Sequence, residues 1–428
     1  MAPPFDPLAY RDPCPSRAII RALGPVNRRL ILPGLLRVRA IDFPAPEVAR
    51  LRAAVNPGTA AFLGPNHPEF MTDWMLDKEI SRRVSPLMAH WASYEVVNIH
   101  PVAQWLWLRN NLIANAPGGR GREYSIDWAL GGHGVLLHPE GTPTWHGDEI
   151  GPLVPGIVQM AWETCRRLAD AARAVPVYIV PVVWKLAFER DASRELVREI
   201  DYVERRLGLP RGTGAGVETR FAALQGAVLA MRRAKFGLPA TPPVSAGEFF
   251  DAQAAFAAWL LADLETRHGS TDGDFPRRVH ALRRAILARS ARGEDEARAD
   301  RKKLAEVERL HRFTRERYSG TTLTQEQIAE SVKQLRITLL TRGLRDGMHG
   351  VVPVAAASRV AHVRAPEPIV VDEAFARGGD EAAAQAGLLV LLRDRLQRAL
   401  DAVNTEIAPW VDPWRRPNPF AAGRAGAG

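Results

Sequence analysis

A histidine and an aspartate stand close together in Asn66-His67-Pro68-Glu69-Phe70-Met71-Thr72-Asp73, directly after the small apolar run Ala60-Ala61-Phe62-Leu63-Gly64-Pro65. Histidine can take a proton from an alcohol near neutral pH when a carboxylate orients its ring and stabilises its charged form. His67 is therefore a candidate base and Asp73 its candidate partner. An apolar run that stops at Gly-Pro, delivers Asn-His and passes into a helix-like stretch to Trp74 reads as a strand-to-helix turn presenting the histidine.

Two later stretches give the pair its meaning. His138-Pro139-Glu140-Gly141-Thr142 follows the apolar Val135-Leu136-Leu137, and Val175-Pro176-Val177-Tyr178-Ile179-Val180-Pro181-Val182-Val183 follows that. In this order the three stretches resemble the motif blocks of the glycerol-phosphate and lysophosphatidate acyltransferase family: Asn-His, four residues, Asp; then Phe-Pro-Glu-Gly-Thr-Arg; then a strand with Val-Pro and a second Pro. The resemblance implies transfer of a fatty acyl group from a thioester, on coenzyme A or an acyl carrier protein, to a hydroxyl of a glycerol-phosphate or lysophospholipid acceptor. No cofactor is implied beyond the acyl thioester as co-substrate. It implies His67 as base with Asp73 as its orienting carboxylate, and Glu140, Gly141 and Thr142 at the acceptor. Two departures stand out. Five residues, not four, separate His67 from Asp73; one extra residue turns a helical side chain by about 100°, so the pairing calls for a looser first turn or a bulge, with Glu69 and Asp77 as substitutes. Pro143 replaces the arginine of the second block. Arg122, then Arg120, are the candidates for the cationic contact to an acceptor phosphate.

A chain of 428 residues with 46% hydrophobic content can bury a proper core and predicts two to three domains. Cys14 and Cys165 are the only cysteines. A disulfide framework and a structural zinc site are thereby disfavoured, and the reading is a reducing, cytoplasmic protein. No apolar run reaches the roughly 18 residues needed to span a bilayer, and Asp6, Arg11 and Asp12 precede any apolar stretch, unlike a secretory signal. Net charge of +9 favours anionic partners, including phosphate-bearing substrates and an anionic membrane face on which the protein would sit peripherally. No nucleic-acid-binding module is present, so no such partner is expected.

The elements that must hold the motif blocks alternate between apolar strands and helices, which predicts an α/β core: a mixed sheet flanked by helices, of acyltransferase type by the resemblance. Residues 1–45 read as an N-terminal arm with an amphipathic segment from Ser16 to Leu23, in which Pro25 and Pro33 prevent one long helix. Residues 46–190 carry the first part of the core, with helical pattern at 74–80, 85–91, 102–112, 125–130 and 154–174. From 191 to 350 the pattern is all helical with Arg-rich faces. Strand character returns at Arg359-Val360-Ala361-His362-Val363-Arg364-Ala365-Pro366-Glu367-Pro368-Ile369-Val370-Val371, which looks like the family's strand after the third block. The helical block is then an insertion, and residues 351–410 close the core. The Pro-, Gly- and Ala-rich residues 411–428 read as a disordered tail.

Three other readings follow from the residues. His133, His138 and His146 with Glu140 and Asp148 form a histidine-rich cluster whose spacing matches no established ligand motif, so no metal site is expected. The segment Arg277 to Arg289 has an apolar stripe at Val279, Leu282 and Ile286 between arginines, suited either to an anionic membrane or carrier protein, or to packing in the core. The alternative to an enzyme is a catalytically silent relative that binds lipid or a partner through the helical block.

Overall fold

A computed structural model describes residues 10–421 apart from 117–118, 142, 145, 212–215, 240, 271, 292–295, 317, 352–353 and 377. The chain forms two compact units, Met1–Glu189 with Val352–Trp410, and Arg190–Val351 with Val411–Gly428.

The first unit begins with helix α1 (Arg17–Val26), capped by the Ser16 hydroxyl, and a π-helical segment Asn27–Leu35 that follows without a break. Pro25 and Pro33 were expected to prevent one long helix; both lie inside this continuous stretch, which changes from α to π geometry after Val26 and ends with the Leu36 amide on the Ile31 carbonyl. Strand β1 (Val38–Asp42), helix α2 (Ala45–Ala54), strand β2 (Ala60–Pro65) and helix α3 (Phe70–Val84) come next. Strand β3 (Ala89–Ser93), helices α4 (Tyr94–Val97) and α5 (Pro101–Arg109), strand β4 (Leu112–Asn115), helix α6 (Gly121–Leu130) and strand β5 (Val135–Leu136) follow. Helix α7 (Gly156–Asp170) and the long strand β6 (Val177–Phe188) lead out of this half of the unit.

The second unit is helical: α8 (Ser193–Leu207), α9 (Val217–Lys235), α10 (Phe249–His268), α11 (Phe275–Ala291) and α12 (Glu296–Arg312), then a short strand β7 (Thr322–Leu323) and helices α13 (Gln325–Leu339) and α14 (Leu344–Val351). The chain returns to the first unit with strands β8 (Arg359–Arg364) and β9 (Ile369–Val370) and helices α15 (Asp372–Ala376) and α16 (Glu381–Val411).

The first unit is a mixed α/β structure around a mostly parallel eight-stranded sheet in the order β1-β8-β6-β2-β5-β3-β4, with β9 on β6. Strands β8 and β9 run antiparallel to β6. β2 is buried along its whole length, as a central parallel strand must be when both faces are covered. Because side chains alternate, Ala61 and Leu63 enter the core shared with α2, α3 and the π-helical segment. Gly64 faces α7 on the other side; a Cβ there would come within 3.0 Å of Ile157 Cδ1, so glycine permits the close approach. The segment 85–91 was expected to be helical, yet Ala89–Ser93 pairs with both β4 and β5. A short apolar run suits either state, and the open sheet position decides it.

In the second unit, Phe221, Phe249, Phe250, Phe313 and Phe420 form an aromatic cluster. Val279, Leu282 and Ile286 of α11 are buried, while Arg278 and Arg283 pair with Glu265 and Glu308. The apolar stripe of this basic helix therefore belongs to the core. Residues 411–421 are folded, which corrects the expectation of a disordered tail from 411 onward. Asn418 Nδ2 donates to the Tyr318 and Gly320 carbonyls, strand β10 (Arg416–Pro417) pairs with β7, and Phe420 plugs the aromatic cluster. A low-complexity composition can still supply one anchoring ring and a ladder partner. Among the described residues, no helix is long and apolar enough to cross a membrane.

Candidate active site

Neighbouring parallel strands end at the same edge of a sheet, where α/β proteins build their sites. β2 and β5 are such neighbours, with Leu63 in register with Leu136. The chain leaving β2 carries His67 and the chain leaving β5 carries His138 and Glu140, so two of the three sequence blocks meet here. β6, which holds the third, is the other neighbour of β2.

His67 lies in the turn before α3 rather than on the helix, and Glu69, the residue before the helix, is extended at φ −148°. The extra residue between His67 and Asp73 is taken up in this turn. A regular helix thus brings Asp73 in its first turn against His67, and neither a bulge nor a substitute carboxylate is needed. Asp73 Oδ2 meets His67 Nδ1, and Asp73 Oδ1 accepts the Glu69 amide at 3.0 Å. With Nδ1 engaged, Nε2 is the nitrogen left to accept a proton from a substrate, and the side chain keeps 13% exposure while Asp73 keeps 1%.

The turn is braced from three sides. Asn66 Oδ1 accepts the Trp184 amide at 2.9 Å and its Nδ2 donates to the Trp184 carbonyl at 3.1 Å, so the side chain extends the β2–β6 ladder by one rung. Glu140 Oε1 accepts the His67 amide at 2.7 Å, and Oε2 accepts the Gly151 amide at 2.9 Å. The Thr144 amide donates to the His67 carbonyl at 2.7 Å. Both oxygens of Glu140 thus tie backbone together around His67. Gly141 closes the tight turn with its amide on the His138 carbonyl at 3.1 Å and a φ of +66°, a conformation that favours glycine. Thr142 lies outside the described residues.

A second histidine-carboxylate pair stands beside the first. His138 Nε2 is 3.0 Å from Asp77 Oδ2 and its Nδ1 is 2.9 Å from the Asn66 carbonyl. The His67 and His138 rings stack with centroids 4.2 Å apart and planes 20° from parallel. Burial, followed by the charge of His138, pushes His67 well below the usual histidine range, and the Glu69 carbonyl pulls weakly the other way. Burial, with the neighbouring Asp77 and Glu69 carboxylates, pushes Asp73 well above the usual carboxylate range. For His138, burial pulls downward, but the Asp77 carboxylate and the Asn66 carbonyl outweigh it and the net direction is upward. The Asp77 and Glu69 carboxylates each have a basic neighbour, His138 Nε2 at 3.0 Å in one case and Arg359 at 2.8 Å in the other.

The histidine-rich set suggested by the sequence is dispersed. His133 packs on Trp128, Asp148 pairs with Lys185, and His146 approaches Glu69 at 3.8 Å. His67, Asp73 and His138 do bring ligand-type atoms within 4.8 Å of one another. Stacked, nearly parallel rings cannot both aim a lone pair in plane at one ion, however, so the group suits proton handling better than coordination.

Arg122 stands exposed on the first turn of α6 with Nη2 3.3 Å from the Gln159 carbonyl of α7, and Arg120 precedes the same helix. Neither is joined to His67 or Asp73 by a described hydrogen bond or ion pair. Against α3, at Trp74 and Lys78, lies a cavity of about 670 Å³, lined also by α1, the π-helical segment, Leu106 and Trp107. Burial pushes the Lys78 ammonium down to about 7, and its Nζ donates to the Asn110 carbonyl at 2.7 Å. Trp74 and Trp107 meet edge to face at its wall. Cys165 is a core residue of α7 whose thiol burial pushes up to about 12, as befits packing rather than nucleophilic chemistry.

Sequence reasoning missed the roles of Asn66, Asp77, His138 and Arg359. The i, i+4 spacing of Asp73 and Asp77 was a legible signal, since it sets two carboxylates on one helix face. Arg359, 290 positions from its partner Glu69, left none. Comparison with known proteins finds no matching family model and no significantly similar curated protein.

Proposed function

We propose that the protein is an O-acyltransferase that moves a fatty acyl group from a coenzyme A or carrier-protein thioester to a hydroxyl of a lysophospholipid or glycerol-phosphate-like acceptor. The observation that carries the reading is the His67–Asp73 pair at the carboxyl edge of the sheet, with Nε2 left for substrate and the ring pushed toward its neutral form. The acceptor hydroxyl gives its proton to Nε2 as its oxygen attacks the thioester carbonyl. Asp73 holds the ring and offsets the charge it gains. Collapse of the tetrahedral intermediate breaks the carbon–sulfur bond, and the proton passes from Nε2 to the departing thiolate. No covalent enzyme intermediate is required, because the thioester is already activated.

Support also comes from the framing of His67 by Asn66 and Glu140, which fixes a reactive group by backbone and not by its own flexible side chain. The apolar cavity beside α3 offers space for a chain-bearing molecule. Arg122 and Arg120, exposed at the start of α6, are the proposed contacts to an acceptor phosphate.

Free-thiol release from a panel of acyl-coenzyme A donors, with glycerol-phosphate, lysophosphatidate and neutral acceptors, tests the reading. Acceptor-dependent release that is strongest with a phosphate-bearing acceptor, and whose KM for that acceptor rises in Arg122→Ala, is the expected result. Silence with coenzyme A and carrier-protein donors alike would rule out the transferase.

A further inference from the structure

Both ring nitrogens of His138 are engaged. Nδ1 faces the Asn66 carbonyl, which can only accept, so it carries a proton; Nε2 faces the Asp77 carboxylate, whose Oδ1 is buried with no hydrogen-bond partner among the described residues, so ionised Asp77 takes its side-chain hydrogen bond from Nε2. A ring that donates on both sides is an imidazolium, and it has no lone pair with which to act as a base. Its face lies against the face of His67.

Resting on the reading of His67 as the base, we propose that His138 is a positioning residue: a fixed cationic ring, tethered by Asp77 and the Asn66 carbonyl, that supports the face of His67 and keeps that ring neutral until a substrate hydroxyl yields its proton. The charged groups around His67 come from several elements. α3 supplies Asp73 and Asp77, the turn before it Glu69, and the segment after β5 supplies Glu140 and His138. Arg359 of β8 pairs with Glu69, and His146 approaches the same carboxylate. The carboxylates favour a charged His67; burial and His138 oppose it.

The arrangement has a consequence for each half of the reaction. Before attack, His67 is available as a base at lower pH than a histidine with a carboxylate partner alone. After attack, the cationic neighbour makes protonated His67 a stronger acid, which speeds delivery of the proton to the thiolate that leaves. The two aspartates one helical turn apart therefore serve different rings: Asp73 the ring that exchanges a proton, Asp77 the ring that keeps one.

The test is the titration of His67, followed by nuclear magnetic resonance of the full chain with ring-labelled histidine and assigned by loss of the signal in His67→Ala. Two variants remove the charge. His138→Gln leaves a neutral donor for Asp77, and His138→Phe combined with Asp77→Asn avoids a buried unpaired carboxylate. The expected result is that His67 titrates at higher pH in both variants, more so in His138→Gln because Asp77 stays charged, and that the acid limb of kcat/KM moves to higher pH with it. An unchanged His67 titration in either folded variant overturns the proposal, as does a wild-type His138 signal that loses its proton below that of His67. The titration needs no turnover, so it stands apart from the transferase reading: loss of activity in His67→Ala with no titration change in the His138 variants would sink only the role of His138.

Discussion

A histidine works as a base only while neutral, and at this site burial and a charged neighbour both push His67 toward that form. The sign follows directly. A group whose proton affinity is lowered stays deprotonated to lower pH, so the acid limb of kcat/KM lies below the ordinary histidine value near 6.5. A pH–rate profile with its acid limb at or above that value would contradict the account. Asp73→Asn keeps the size of the partner but not its charge, and is expected to lower kcat while leaving KM for the thioester near wild type. Equal loss in His67→Ala and Asp73→Asn, with no further loss in the double variant, is the signature of two residues acting as one unit. At this scale the sequence already named the pair, because two residue types at short spacing are legible without a fold. The stack with His138 was not, because it depends on which strands become neighbours.

The turn between β2 and α3 holds His67 through backbone hydrogen bonds, and its energetics belong to the elements it joins. Asn66→Ala would leave the Trp184 amide and carbonyl without their buried partner, at about 1–3 kcal/mol. The expected outcome is a lower midpoint in urea together with a fall in kcat, since the same side chain positions His67. A stable but inactive variant would mean that the clamp serves only the site. Gly141→Ala forces a left-handed residue at about 1–2 kcal/mol, with the same urea titration as its measure. Strands β2 and β6 were legible because central parallel strands read as continuous apolar runs. β3 was not: its short run fits a helix equally well until the sheet offers it two partners. The extra residue between His67 and Asp73 looked like a defect on the assumption that both sit on one helix. It is harmless because the histidine lies in the turn.

Over the whole molecule, the excess of basic residues is partly internal. Arg220 and Arg336 are buried and Arg232 half-buried against carboxylates in the helical unit, and the arginines of α11 flank a buried stripe. Net charge therefore overstates the basic surface offered to a partner. Composition likewise misjudged the C-terminal residues, since Pro-, Gly- and Ala-rich sequence says nothing of a single ring that fits a cluster. Phe420→Ala is expected to cost about 3 kcal/mol and lower the melting temperature of the full chain; an unchanged melt would show the tail to be dispensable. The α/β class could be read from alternating apolar strands and helices, and the all-helical character of the second unit from its stripes. What escaped were pairings across long separations, such as Arg359 with Glu69. The measurement that bears most directly on the account is the rate of acceptor-dependent thiol release from a long-chain acyl thioester by wild type and by His67→Ala. A fall of about 10²–10⁴-fold in kcat, with the fold intact by circular dichroism, is the expected result. A His67→Ala protein that turns over within a few-fold of wild type would contradict it.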